Sequence, residues 1–160
     1  MRMGSERYPA EPKVTLLIVD DDEDTRAVLA DCVADRGFHI VLARRGDEAL
    51  ALAQSARPDV ILLDLRMPEL DGFEVMRRLR ADPATREIPV IVLSAEAIDR
   101  MELALEESGC VAAIKKPCSV EALVEAIERV VEADPTRDPA PITGPGPEPA
   151  RSAERLPRSA

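Results

Sequence analysis

The sequence has no tryptophan, one tyrosine and two phenylalanines among 160 residues. Apolar residues nonetheless make up 46% of it, so any core it forms is aliphatic. Positive charge is also short: 21 lysines and arginines stand against 31 acids, a net charge of -10. That balance argues against a nucleic-acid backbone as partner, since such binding needs a basic face. It argues likewise against an anionic membrane surface. No apolar run approaches the roughly 20 residues of a membrane span. The opening MRMGSERYPAEPK lacks the apolar stretch of a signal peptide. Cys32, Cys110 and Cys118 are an odd, sparse set without metal-type spacing. They read as free thiols in a reducing compartment. A soluble, acidic, cytoplasmic protein is expected, of a length that allows one domain and a tail.

Apolar runs alternate with helical patterns five times. The strands are expected at Val14–Val19, Phe38–Ala43, Val60–Asp64, Ile88–Leu93 and Val111–Ile114. Their continuous apolar character suits strands covered on both faces, as in a parallel sheet. Helices are expected from about Asp24 to Arg36, from Gly46, from Gly72 to Arg80, from Ala97 to Glu107, and from Val120 to Val131. In the first, Ala27, Val28, Cys32 and Val33 form the apolar stripe. In the last, Val120, Leu123, Val124, Ile127, Val130 and Val131 follow the i, i+3, i+4, i+7 rule. Gly37 and Gly109 read as helix stops. The whole is an α/β fold, a doubly wound five-stranded parallel sheet with five helices. The flavodoxin-like strand order 2-1-3-4-5 fits best, with ligands beyond the carboxyl ends of the strands. Residues 1–13 read as a flexible leader and 14–132 as the folded domain. Residues 133–160, with seven of the 14 prolines, read as a disordered tail that cannot fold as an output domain.

Polar residues gather where these strands end. The first run is followed at once by Asp20-Asp21-Asp22-Glu23-Asp24. Like charges crowded at one strand end repel, and a cation removes that cost. Asp64 ends the third strand, Ser94 follows the fourth, and Lys116 follows the fifth. Asp20, Asp21 and Asp64 can bring three carboxylates together, a hard oxygen set suited to Mg2+. Asp22, Glu23 and Asp24 are read instead as helix N-terminal acids. An EF-hand fails, because position 6 of the loop is Thr25 rather than Gly and position 12 is Asp31 rather than Glu. A carboxylate can attack a phosphoryl group. A metal, an ammonium and a hydroxyl can then each take one of the three oxygens over which its charge spreads.

Four motifs, VDDDED, LLDLRMPELDG, VLSAEA and IKKP, occur in order at these separations. In them the chain resembles the receiver domain of bacterial two-component response regulators, of the stand-alone type, over residues 14 to about 132. The resemblance implies Asp64 as phosphoacceptor and Asp20 and Asp21 as the acid pair that holds Mg2+. It implies the Arg66 backbone carbonyl as a further metal ligand, and Ser94 and Lys116 as contacts to the phosphoryl group. It also implies a cis Lys116–Pro117 bond, a histidine kinase or histidine phosphotransfer protein as donor, and an output protein as partner. That output protein is not named by the sequence. The signalling surface would lie near helix four, strand five and helix five, where a homodimer is one arrangement.

Two positions depart from the family. Ala113 stands where many receivers carry Tyr or Phe, and Cys118 where Phe is common. An alanine has no rotamer to switch, so the signal is expected to travel through the loop after Ser94 and helix four. Arg66 and Glu96 each lie two residues beyond Asp64 and Ser94, at places that tune phosphoryl lifetime in receivers. His39, the only histidine, lies in a strand, so the donor must be another protein. Two other readings compete. A phosphohydrolase with an Asp nucleophile fits the letters Asp20-Asp21-Asp22, but the chain has no room for a cap. A receiver-like binding module without phosphorylation would not need all five polar residues. A flavin site lacks a Ser/Thr/Gly-rich phosphate loop after the first strand.

Overall fold

A computed structural model describes residues 14–96 and 98–133. The expected leader over 1–13, and all of the expected tail beyond Ala133, lie outside the described residues. The elements run β1 (Thr15–Val19), α1 (Glu23–Ala34), β2 (His39–Ala43), α2 (Gly46–Ala56), β3 (Val60–Asp64), α3 (Gly72–Ala81), β4 (Val90–Ser94), α4 (Ile98–Ser108), β5 (Ala112–Lys115) and α5 (Val120–Glu132). The five strands form one sheet in the order β2-β1-β3-β4-β5, every pair parallel. The strand order and class are those expected from the sequence.

Because side chains alternate along a strand, each strand feeds two cores. Leu17, Val19, Ile61, Leu63, Val90 and Val92 pack against α2, α3 and α4 through Ala49, Ala53, Val75, Met76, Leu79 and Leu105. Leu16, Ile18, Val60, Leu62, Ile91 and Leu93 pack against α1 and α5 through Leu29, Val33, Leu123, Val124 and Ile127. All five residues of β3, and of β4, are buried. That is why their sequences read as unbroken apolar runs rather than as alternations. Each such Leu or Ile contributes about 1.5–3 kcal/mol by leaving water.

Three helices start on side-chain caps. Asp22 accepts from the Thr25 amide, Asp71 from that of Glu74, and Ser119 from that of Ala122. Each satisfies an amide that the first turn would leave bare. Gly37 and Gly109 take φ of 82° and 79°, the left-handed conformation of a helix stop.

Some expected boundaries shift. β4 begins at Val90 rather than Ile88 and includes Ser94, while β5 runs Ala112–Lys115 rather than Val111–Ile114. Pro89 explains the first shift, since it has no amide to give to a ladder. The larger correction is in α1. Its buried residues are Arg26, Leu29 and Val33. Ala27 is exposed, Cys32 only half-buried, and Val28 60% exposed.

Candidate functional site

The register levels the strand ends. Val19 pairs with Leu63, Asp64 with Leu93, and Ser94 with Lys115. Asp20 therefore stands beside Asp64 at the carboxyl edge, with Ser94 and Lys115 one residue farther out. Lys116 follows, its amide donating to the Ser94 carbonyl at 2.8 Å. The Lys116–Pro117 bond is cis, as expected.

Asp20 is 1% exposed and held at every polar atom. Its amide donates to the Ala43 carbonyl at 3.2 Å. Its own carbonyl accepts from the Arg26 guanidinium at 2.8 Å. Its carboxylate accepts from the Asp22 amide at 2.9 Å and from Lys116 Nζ at 2.7 Å. Asp64 is also buried, with one oxygen accepting from the Arg66 amide at 3.2 Å and the other 3.5 Å from Lys116 Nζ. The Ser94 hydroxyl is buried and accepts from the Glu96 amide at 3.1 Å, which leaves its proton free to donate. Asp21 alone is exposed, and among the described residues no hydrogen bond or ion pair occupies its carboxylate.

The helix after Asp64 comes in unusually close. A Cβ on Gly72 would lie 2.6 Å from Leu65 Cα and 2.8 Å from the Asp64 carbonyl oxygen. Only glycine lets the start of α3 seat against the strand end that carries Asp64.

Charge at the site is unbalanced by design of the fold: three carboxylates share one ammonium. Burial raises the Asp64 carboxyl above its ordinary value; the nearby Lys116 charge opposes this and the Asp20 charge reinforces it. Burial alone would lower Lys116, but the hydrogen bond and charge of Asp20, then Asp64, hold it above its usual value. Asp22, outside the cluster, is held below the usual range, first by the Thr25 hydroxyl and then by the Thr25 amide. Asp22 lies at the helix N-terminus, as expected, and there its side chain caps the first turn.

One oxygen from each of Asp20, Asp21 and Asp64 lies within 4.8 Å of the other two. The donors are hard carboxylate oxygens with neither sulfur nor imidazole among them, so the chemistry fits a hard divalent cation. Across the mouth, Arg66 and Glu96 form an ion pair. Beside it opens a cavity of about 430 Å³ lined by Asp21, Arg66, Met67, Phe73, Ser94 and Met101.

All five expected side chains thus converge. His39 does not: it is exposed at the opposite end of β2. Ala113 is buried in the α2–α3–α4 core, and Cys118 packs partly against the α1–α5 core. Sequence reasoning missed Arg26, which is buried beneath the acids.

This sheet, with its polar cluster at the carboxyl edge, defines a class of signalling domain. Residues 16–128 match the response regulator receiver domain, and the chain belongs to that family. It is similar to the polar-differentiation response regulator DivK of Brucella anthropi, 39% identical over 114 residues, 71% of this chain and 93% of that protein. Its fold is similar to the chemotaxis protein CheY4 of Vibrio cholerae, with a TM-score of 0.71 and 31% identity over 74% of this chain and 99% of that one. The receiver domain of a histidine kinase from Syntrophus aciditrophicus also gives a TM-score of 0.71, at 29% identity over 81% of this chain and 98% of that one. The chain is therefore a receiver of two-component signalling, and nothing in these likenesses favours a phosphohydrolase or a flavin protein.

Proposed function

We propose that Asp64 accepts a phosphoryl group from a phosphohistidine on a histidine kinase or histidine phosphotransfer protein. An Asp64 carboxylate oxygen forms a bond to phosphorus as the phosphorus–nitrogen bond of the donor breaks, its electron pair returning to the imidazole. The observation that carries this reading is Lys116 Nζ, 2.7 Å from Asp20 and 3.5 Å from Asp64. The ammonium is poised beside the acceptor, where it can take one phosphoryl oxygen. Ser94 can donate its free proton to a second.

Asp21, Asp64 and the Arg66 carbonyl would hold Mg2+, with Asp20 completing the acid pair. Bound there, the ion supplies charge that offsets the anionic transition state. The Arg66–Glu96 pair stands where an attacking water must enter, which favours a long-lived acyl phosphate. Signalling follows through a changed surface on α4, β5 and α5, where Leu103 and Val111 are 69% and 45% exposed. An output protein, or a second copy of the chain, would dock there. A cytoplasmic setting is part of this reading; three free cysteines suit a reducing compartment. Among the described residues, no helix is long and apolar enough to cross a membrane.

The direct test is incubation with Mg2+ and acetyl phosphate, followed by mass mapping. One adduct per chain on Asp64, absent from Asp64→Asn and from protein in excess chelator, is the expected result. Labelling elsewhere, or catalytic turnover of phosphate esters without an adduct, would overturn the assignment.

A further inference from the structure

We infer that Arg26 is a positioning residue: from α1 it fixes the Asp20–Asp21 peptide and so aims the one unpartnered carboxylate of the metal-binding cluster. The inference rests on the reading of Asp20, Asp21 and Asp64 as a cation site. Arg26 is 8% exposed, and burying a guanidinium carries a desolvation cost. Its Nη1 donates to the Asp20 carbonyl at 2.8 Å. That carbonyl belongs to the peptide joining Asp20 to Asp21. The other polar atoms of Asp20 are held by Ala43, Asp22 and Lys116. No such contact restrains the Asp21 side chain among the described residues. Its direction is therefore set by its backbone, which is held on both sides: the Asp20 carboxylate takes the Asp22 amide after it, and Arg26, from another element, takes the Asp20 carbonyl before it.

The three carboxylates favour a cation here, but the charge of Arg26 does not. A buried positive charge beside the cluster repels a divalent ion, so the charge works against metal binding while the hydrogen bond works for it. This opposition makes the two roles separable by experiment. Arg26→Lys keeps charge and a donor; Arg26→Met keeps length and packing but has neither.

The probe is Mg2+ alone, titrated by calorimetry into wild type, both variants and Asp21→Asn, with melting temperatures measured in chelator. If Arg26 aims Asp21, Arg26→Met weakens Mg2+ binding about tenfold, the size usual for supports behind metal ligands. Arg26→Lys then restores most of the affinity. The loss also disappears in the Asp21→Asn background, because no Asp21 carboxylate remains to be aimed. If Arg26→Met binds Mg2+ more tightly, charge dominates and the inference is wrong. It is equally wrong if Arg26→Met melts earlier but binds Mg2+ as wild type does. A wild type that does not bind Mg2+, or binds it independently of Asp21, overturns the site reading itself.

Discussion

At the scale of single residues, Asp64, the proposed acceptor, is held at a cost to the fold. Burial favours the neutral form of Asp64, so its pKa is raised above 3.8. Protonation therefore stabilises the folded state: the benefit is full below the ordinary aspartate value and is lost as pH rises through the raised value. At neutral pH the ionised carboxylate opposes folding. Asp64→Asn should melt higher than wild type at pH 7, and the gap should close on acidification as wild type gains its proton. Mg2+ should narrow or reverse the difference by stabilising wild type more. Equal melting temperatures in chelator across this range would contradict the balance of forces assigned to the site. The Arg66–Glu96 pair acts at the mouth rather than the floor. Both partners are substantially exposed, 74% and 40%, and such pairs are worth about 0.2–1 kcal/mol. Arg66→Ala should shorten the phosphoryl lifetime by up to about fivefold, the rate equivalent of that energy. Decay of labelled protein after donor removal measures it, and an unchanged lifetime sinks the idea.

At the scale of elements, the site depends on how closely α3 seats against β3. Gly72→Ala sets a Cβ against backbone atoms, 2.6 Å from Leu65 Cα and 2.8 Å from the Asp64 carbonyl. No flexible side-chain end can yield there, so a loss of about 1–3 kcal/mol is expected. The urea midpoint should fall with little change in slope, and phosphorylation by acetyl phosphate should slow as the Asp64 strand end shifts. This dependence was legible only in part. The sequence marks Gly72 as the start of a helix, not as the point where two backbones touch. The strands and the polar residues at their ends read directly, because in a buried parallel sheet an apolar run must stop where the strand leaves the aliphatic core at the carboxyl edge. Asp20, Asp64, Ser94 and Lys116 each stand at such a stop. Helix α1 did not read directly. Its apolar letters suggested Ala27, Val28 and Cys32, yet Arg26 takes the inner face because its stem is apolar and its tip finds the Asp20 carbonyl. A hydrophobicity pattern counts arginine as outward and has no access to the carbonyl it will meet. Val28, displaced outward, leaves an apolar spot on the helix that leads away from the acids.

At the scale of the whole molecule, the question is how an event at Asp64 reaches a distant surface without an aromatic ring to turn. Ala113 is 2% exposed and has no alternative rotamer. The helices differ in how firmly they are anchored. Five residues of α5 are buried, Ala122, Leu123, Val124, Ala126 and Ile127, whereas α4 has only Leu105. Elements with few buried contacts open and shift at the lowest free energy. Ser94 joins the site to α4, since its hydroxyl accepts from the Glu96 amide two residues before that helix begins. In the proposed mechanism Ser94 turns its proton to a phosphoryl oxygen and gains a charge-assisted hydrogen bond worth about 1.5–3 kcal/mol. A contact made in only one state shifts the balance between two α4 positions about 10- to 100-fold. Hydrogen exchange with and without Mg2+ and beryllofluoride should therefore change most across 98–108 and little across 120–132. Ser94→Ala should keep the beryllofluoride adduct but lose most of that change. Altered exchange in α5 with α4 unmoved, or an undiminished response in Ser94→Ala, would mean that the signal leaves the site by another route.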